Sequence, residues 1–594
     1  MTRAEYAQAA AGVLREKSPA LRWLRLALLS SFTVDLMKPC LVVEAAQRGL
    51  GLEVWAGPYG QIDQQIMDAR SELYREAPDV VVILARVEDL MPELAWQFLR
   101  QTPEDLQQAR TALSRRMEGL VRQVLAQHAK AKVLLGNFAL PQWLAAGEED
   151  ALLEVSQVSF WQQLNDDMAA LCRRVPQAVL VDVAAAAVKA GADAWTDARM
   201  AWLARAPLSA HALEAVARRI ARRLQAVYHP PKKCLVLDMD DTLWGGILGE
   251  AGMGGIALGP DYPGNVFVDF QRRVLALRDR GILLAAASKN NAEEVLQVLA
   301  EHPACLLKRE HFAAFEVHWQ DKAGSLRGIA QKLKLGVDAL VFFDDNPVER
   351  DWVRSQLPEV AVVPVPKHVM DYGRALEEGG WFDTAVLSEE DRLRAGYYAQ
   401  EEARAGLRGG AASLEDFIRS LEMKVTVSTV TQETLPRVVQ LLGKTNQFNL
   451  TTRRHTTAEL ERMMAGGAVA VWARVEDRFG DNGIVGVGIA LPDASADAGG
   501  VWMLDTLLLS CRVLGRGVET ALLAVVEREV ARLGARQLRG EFIPTARNQP
   551  AADFFEKHGY HRAAQAGGAW ERSLDAARPL PECFVLHTLV SPPS

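Results

Sequence analysis

The chain has 594 residues, 49% of them apolar and 24% charged, an ordinary make-up for globular protein that at ~150 residues per domain predicts roughly three or four domains. Its net charge of −8 excludes a general nucleic-acid binder, which needs a basic surface to neutralise phosphates. Six scattered cysteines, no signal-peptide core behind Arg3 and Glu5, and no run near the ~20 apolar residues of a bilayer span predict a cytoplasmic chain with no membrane partner.

Residues 1–20 read as a helix. Leu24 to Leu29 then forms a strand running into Ser30-Ser31-Phe32-Thr33, and a helix follows from about Val34 to Gly49. Further strands are expected at Leu52–Trp55, Val80–Leu84, Lys132–Leu135 and Ala178–Val181. Strands alternating with helices predict a doubly wound α/β domain over residues 1–228. Its polar tips, Ser30 or Ser31, Gly57 and Asn137, with Asp197 and His211 near its end, resemble the SGNH hydrolases. The Asp-x-x-His spacing of that family is absent, and a serine esterase needs base and nucleophile within hydrogen-bond reach. Ser30 and Ser31 serve equally well as helix caps, so a docking or structural role is expected ahead of hydrolysis.

Tyr228-His229-Pro230-Pro231 is a prolyl hinge, since prolines bar helix continuation. After it, Lys233-Cys234 leads into Leu235 to Leu237, which reads as a short buried strand of a parallel sheet that stops on Asp238-Met239-Asp240-Asp241-Thr242. Ligands sit beyond the carboxyl ends of strands in open α/β sheets. Packed carboxylates repel one another unless a cation neutralises them, which favours an Mg²⁺ site over a solvated acidic turn. A second buried strand, Gly281 to Ala287, ends at Ser288-Lys289-Asn290-Asn291. Lys322 opens a helical segment, and a third strand, Ala339 to Phe343, ends in Asp344-Asp345-Asn346-Pro347.

Four polar tips in this order, over residues 231–365, resemble the motifs of the haloacid-dehalogenase (HAD) phosphohydrolases. The resemblance implies a domain over 229–365 with defined roles. Asp238 attacks the phosphate and forms an aspartyl-phosphate, and Asp240 protonates the leaving oxygen. Mg²⁺ is held by Asp238, the backbone carbonyl of Asp240 and Asp344, with Asp345 close by; Ser288 and Lys322 offset phosphoryl charge. Thr242, orienting the loop, and Asn290 fall on the substrate side. The structural alternatives are a helix-capping Ser288 and a solvated Lys322. Only a Gly-rich flap, Gly245 to Gly264, and one helix fit between Asp238 and Ser288, so no second folded cap is expected and the site stays open to a bulky partner.

Leu243-Trp244-Gly245-Gly246, Ser288-Lys289-Asn290 and Asp344-Asp345-Asn346-Pro347 are together similar to the FkbH-like branch of that superfamily. This implies an enzyme that loads a glyceryl unit from 1,3-bisphosphoglycerate onto an acyl carrier protein and removes its phosphate, in polyketide-type biosynthesis. Proteins of that branch commonly carry an SGNH-like domain. Residues 366–413 read as a polar, partly helical connector with a flexible joint at Gly409-Gly410.

Over 414–594 the pattern changes. Strands are expected at Lys424–Val427, Ala468–Trp472, Ile484–Ala490 and Trp502–Ser510, a helix at Thr434–Gly443, and a turn at Gly480-Asp481-Asn482-Gly483. Arg512-Val513-Leu514-Gly515-Arg516-Gly517 precedes a long helix from near Val518; Asn548 and a helix through Phe554 and Phe555 to Gly559-Tyr560 follow. This resembles the GNAT acetyltransferases, whose loop N–H groups cradle pyrophosphate at a helix N-terminus. The resemblance implies a groove formed by Arg512, Gly515, Arg516, Gly517 and Asn548 for a phosphopantetheine arm, or for coenzyme A. Cys511 is the candidate that hands glyceryl to the arm's thiol, its own thiol lowered by Arg512 and the helix dipole; the alternative is an inert strand-end cysteine. Cys234, about 13 Å from the catalytic end of its strand, reads as core.

Lys444 to His455 resembles a further signature of the FkbH-like branch. Asn446, Gln447 and Asn449 suit a polar substrate such as glycerate, and the basic end suits an acidic carrier protein; a capped helix start explains part of the stretch without function. The expected fold is thus α/β multidomain: an SGNH-like doubly wound domain, a HAD Rossmann-like domain without a large cap, and a GNAT-like α+β domain. Two alternatives stay open, a HAD phosphatase fused to an acetyl-CoA-dependent N-acetyltransferase and a non-catalytic scaffold that docks carrier proteins.

Overall fold

Alternate residues of the first strand, β1 (Arg22–Ser30), enter different cores: Leu24, Leu26 and Leu28 lie in one cluster, Ala27 and Leu29 in the other. Both faces are buried, which is why the run is apolar without alternation. With β2 (Leu50–Ala56), β3 (Val80–Leu84), β4 (Lys132–Gly136) and β5 (Ala178–Val181) it forms an all-parallel sheet of order β2-β1-β3-β4-β5. Helix Ala210–Tyr228 covers one face through Leu213, Val216, Ala217, Ile220 and Leu224, spaced at helical period. Helix Pro103–Gln127 covers the other, opened by a capping box of Thr102 and Asp105.

The computed structural model describes residues 1–384, 414–445, 448–493, 500–510, 513–545, 548–563, 569–579 and 585–589. It divides into two units, Met1–Arg392 and Leu393–Ser594. No helix among the described residues is long and apolar enough to cross a membrane.

The first unit contains a second all-parallel sheet, built from β6 (Cys234–Leu237), β7 (Leu283–Ser288), β8 (Phe312–Val317), β9 (Leu340–Phe343) and β10 (Ala361–Val362) in the order β10-β9-β6-β7-β8. The register pairs Leu237 with Phe343 on one side and with Ala286 on the other. The next residues, Asp238 and Asp344, therefore leave adjacent strands side by side. The flap after β6 is closed by a bridge between Gly245 and Ala257 and pinned by buried Leu248, Ile256 and Leu258. Gln271 on helix Gly264–Asp279 ties it down, donating to the Leu243 carbonyl at 2.8 Å while accepting from the N–H groups of Leu306 and Leu307.

Residues 366–384, expected as the start of a connector, extend this domain. Tyr372, Leu376 and Phe382 lie in its core, and Asp383 receives the Arg222 guanidinium at 2.7 Å. Three isolated apolar side chains in a polar stretch leave no clear period, so tertiary packing alone recruits them. Residues 385–413 lie outside the described residues.

In the second unit the described strands are β11 (Lys424–Thr429), β12 (Phe448–Asn449), β13 (Val469–Asp477), β14 (Gly480–Pro492), β15 (Val501–Leu509), β16 (Gln537–Gly540), β17 (His561–Arg562), β18 (Trp570–Ser573) and β19 (Val585–Leu589). They form one mixed sheet, β17-β18-β16-β15-β14-β13-β11-β19, with β12 added against β15. The hairpin between β13 and β14 turns at Arg478-Phe479, earlier than the glycine-rich stretch expected for it. Asp477 pairs with Gly480, and the Asp477 carboxylate accepts from the Phe479 N–H at 3.0 Å. That aspartate locks the turn locally, so Asp481 to Gly483 continue as strand.

Candidate functional site

The site grows from the tips of β6, β7 and β9. Asp238 follows β6 directly, its N–H donating to the Phe343 carbonyl at 3.1 Å. Asp344 follows β9, is fully buried, and accepts from the Asn346 N–H at 2.9 Å. Ligand oxygens of Asp238, Asp344 and Asp345 all lie within 4.8 Å of one another. Lys322 enters from the first turn of helix Lys322–Lys332, whose N-cap is Asp321. Only 2% exposed, its ammonium lies 2.7 Å from Asp238 Oδ1, 3.1 Å from Asp344 Oδ2 and 2.7 Å from the Ala287 carbonyl. It is a buried site charge rather than a solvated one.

The electrostatics follow from this crowding. Burial and the neighbouring Asp238 push the Asp344 carboxyl up to about 7, with Lys322 pulling the other way. Burial, Asp238 and Asp241 push Asp345 up to about 6. Burial alone would lower Lys322, but the two carboxylates outweigh it and its ammonium is held above the ordinary range. One lysine does not balance the cluster: its single positive charge is shared between Asp238 Oδ1 and Asp344 Oδ2, with Asp345 beside them. Three convergent carboxylates facing a single ammonium fit a hard divalent cation.

Asp240 is set differently. One carboxylate oxygen accepts from Trp244 Nε1 at 2.9 Å and the Leu248 N–H at 3.1 Å, and the other from the Asn290 amide at 3.0 Å. Burial raises its carboxyl above the usual range, against the pull of those donors. A raised carboxyl in a cleft suits a general acid. Asp241 adopts φ +49°, and its carboxylate accepts from the Gly246 N–H at 2.7 Å. Asp238 is near enough for its charge to help raise the Asp240 carboxyl. Thr242 is buried, with Oγ1 3.4 Å from Asp345 Oδ1. Ser288 is buried at the end of β7. It does not cap the following helix, because Asn291 holds that position and accepts from the Glu293 N–H at 3.1 Å.

Sequence reasoning passed over two contributors. Arg350, one turn into helix Pro347–Gln356, donates to the carbonyls of Asp344 at 2.7 Å and Asp345 at 2.6 Å, fixing the acidic loop from behind. A cation so near a helix N-terminus opposes the dipole, and that anomaly was the available signal. Tyr372 donates its hydroxyl to the Asp241 carbonyl at 3.1 Å from a segment more than a hundred residues away, which no local pattern announces.

The residues expected to form a cofactor groove sit in the second unit. Gly515 and Gly517 take φ +72° and +79°, and Gly517 caps helix Val518–Arg532. Arg516 turns inward, its Nη1 3.7 Å from Asp477 Oδ2. Burial raises the carboxyl of Glu519 in the first turn of this helix, against the pull of the backbone N–H groups of Glu519 and Gly517. β15 pairs in parallel with β16 only over Val501–Leu504. Beyond that point Phe448 and Asn449 pair with Leu509 and Leu508, and the Leu450 N–H donates to the Leu507 carbonyl at 3.1 Å. Buried Asn548 secures this insertion by donating to the carbonyls of Asn449 at 3.0 Å and Ile543 at 2.9 Å. Asn449 in turn caps Thr451 and Thr452. Arg453 and His455, expected to face an acidic partner, both pair with Asp505, at 2.9 and 2.7 Å. Asn446, Gln447, Cys511 and Arg512 lie outside the described residues.

The fold and the carboxylate–lysine cluster define an α/β protein with a HAD-type domain. Residues 25–224 match the family model of the FkbH N-terminal domain. The N-terminal part of the protein BF1531 from Bacteroides fragilis, which contains a phosphatase domain complexed with Mg, is similar at 28% identity and a TM-score of 0.55, over 65% of this chain and 100% of that one. Together these support an FkbH-like protein of the HAD type. GNAT-family structures resemble a smaller part. One from Desulfovibrio desulfuricans has 19% identity and a TM-score of 0.20, over 25% of this chain and 99% of that chain. The ribosomal-protein-S18-alanine N-acetyltransferase from Escherichia coli has 14% and 0.20, over 26% and 96%. A likeness so slight carries no argument. No curated protein matches the sequence.

Proposed function

We propose that this protein is an Mg²⁺-dependent HAD-type phosphatase that serves glyceryl transfer. The observation that carries the phosphatase reading is the convergence of Asp238, Asp344 and Asp345 within 4.8 Å, with Lys322 bridging the first two. Asp238, Asp344 and Asp345 would hold Mg²⁺, which when bound supplies positive charge to the phosphoryl oxygens. The similar N-terminal part of BF1531 from Bacteroides fragilis, which contains a phosphatase domain, is complexed with Mg.

The chain's own residues supply the rest. An Asp238 carboxylate oxygen forms a bond to phosphorus as the bond from phosphorus to the leaving oxygen breaks, and Asp240 gives that oxygen its proton. Asp240 then accepts a proton from the water that attacks the aspartyl-phosphate, releasing inorganic phosphate and restoring Asp238. Lys322, fixed by the Ala287 carbonyl, balances the charge that collects between Asp238 and Asp344.

The glyceryl part of the proposal takes 1,3-bisphosphoglycerate as donor and the phosphopantetheine thiol of an acyl carrier protein as acceptor. The match of residues 25–224 to the FkbH N-terminal domain supports it. Cys511 is the proposed acyl carrier. The described cysteines are poor nucleophiles: Cys234 is fully buried, and burial raises the thiols of Cys40, Cys172 and Cys305. Entry of a pantetheine arm alongside β15 requires Phe448–Leu450 to leave its edge.

Incubation with 1,3-bisphosphoglycerate, Mg²⁺ and holo carrier protein, read by intact-protein mass, is the test. A glyceryl adduct on the carrier and phosphate release that Asp238→Asn abolishes are expected. Phosphate release without an adduct would leave a phosphatase of another substrate. Release that survives Asp238→Asn would end the assignment.

A further inference from the structure

A cavity of about 510 Å³ opens at the carboxyl edge of the first sheet, where the order β2-β1-β3-β4-β5 places β1 and β3 side by side with their connections leaving to opposite faces. Doubly wound sheets bind small molecules at that crevice. Its polar floor comes from three strand tips: Ser31 after β1, Arg86, Glu88 and Asp89 after β3, and Asn137 after β4. The charges there balance inside the chain, Glu88 and Asp89 against Arg86 and Arg205, whose charge also acts on Asp89. The Arg86 guanidinium bonds Glu88 at 2.8 Å and lies 3.7 Å from Asp89, and the Ser31 hydroxyl donates to Asp89 at 2.8 Å.

The same bonds take the site out of hydrolysis. Ser31 faces a carboxylate, while His211 is exposed at the start of helix Ala210–Tyr228 and Asp197 caps the helix Ala198–Ala204. An oxyanion needs donors aimed into the cleft. The Ser31 N–H is spent on the Leu84 carbonyl and the Gly57 N–H on the Leu28 carbonyl, and the Asn137 amide, with one hydrogen given to Asp182 at 2.9 Å, is left with a single donor.

The walls offer apolar contact instead. Phe32 and Leu84 are buried in them, and Trp96, Trp143 and Trp202 line the mouth while 66%, 73% and 81% exposed. Three indoles left in water around one opening mark a surface that something covers, because aromatic burial is among the largest contributions to binding. We propose that this cavity is a non-hydrolytic binding site for a neutral, largely apolar organic molecule of drug-like size, held between the three tryptophans. A charged ligand would find its counter-charges already paired. One carbonyl or hydroxyl on the ligand is accommodated, since Asp182 takes one of the two amide hydrogens of Asn137.

The test titrates the full chain with the neutral fluorophore N-phenyl-1-naphthylamine and, in parallel, with the anionic 8-anilinonaphthalene-1-sulfonate. Saturable one-to-one binding of the neutral probe, at least tenfold tighter than the sulfonate and quenching tryptophan fluorescence, is expected. Trp202→Ala should weaken it severalfold, and Ala198→Trp, an exposed position at the cavity, should abolish it; circular dichroism and thermal unfolding confirm that both variants fold. Absence of saturable binding, equal affinity for the two probes, or binding untouched by both variants would overturn the proposal. Turnover of p-nitrophenyl butyrate that disappears in Ser31→Ala would replace it with an esterase.

Discussion

Replacing Lys322 by methionine keeps the length and apolar stem of the side chain and removes its charge. The ammonium sits 2.7 and 3.1 Å from two carboxylate oxygens. At an effective dielectric of about 20 these pairs are worth roughly 6 and 5 kcal/mol in gross Coulomb energy. Desolvation of the ammonium offsets much of that, and breaking a buried pair from one side typically costs about 3–5 kcal/mol net. The loss must depend on pH. Burial and Asp238 already hold the Asp344 carboxyl up at about 7, and removing the lysine lifts it further. When the carboxyls are protonated there is little repulsion to lose; when they ionise, the whole cost appears. Without added cation, the melting temperature of Lys322→Met should therefore fall by roughly 10 °C at pH 8 and much less at pH 5, taking ~2–4 °C per kcal/mol for a domain of this size. Millimolar Mg²⁺ should recover part of the loss at pH 8. A fall under about 2 °C at pH 8, or an equal fall at both pH values, would refute the account of Lys322 as the counter-charge of the cluster.

Protons compete with the cation for Asp344 and Asp345, held at about 7 and about 6. Mg²⁺ affinity should thus level off above about pH 8 and fall steeply below about pH 6, and titration calorimetry near pH 6.5 in two buffers should show proton release through buffer-dependent heats. Arg350→Ala detaches two carbonyls bonded at 2.7 and 2.6 Å; a loss of about 1.5–3 kcal/mol in urea unfolding and at least tenfold weaker Mg²⁺ binding are expected. Asn290→Ala removes a donor that favours ionised Asp240, so the alkaline limb of kcat/KM for phosphate release should move up by roughly 0.5–1 pH unit. An unmoved limb would assign the general acid elsewhere.

Much of the first unit was legible because parallel strands buried on both faces need near-continuous apolar runs, and such runs end where carboxylates, serine and asparagine can meet solvent. Leu235 to Leu237 followed by Asp238, and Leu340 to Phe343 followed by Asp344, state both the strand and the site in a few letters. The second unit was less legible at its groove. Phe448–Leu450 lies in a stretch that reads locally as a polar signature, yet it runs along the edge of β15. That depends on which edge a distant strand leaves unpaired.

Sequence by itself determined β1 to β5, β6, β7 and β9 of the first unit and the acids at their tips, since the period of apolar residues and the chemistry that ends a strand are local properties; β8 and β10 emerge only in the folded sheet. Tertiary structure alone decided that Lys322 would be a buried partner of Asp238 and Asp344, that Tyr372 and Arg350 would brace the acidic loops, and that Ser31 would face Asp89 instead of a histidine. Each of those is a meeting of residues far apart along the chain, and the geometry that unites them exists only once the strands have taken their register.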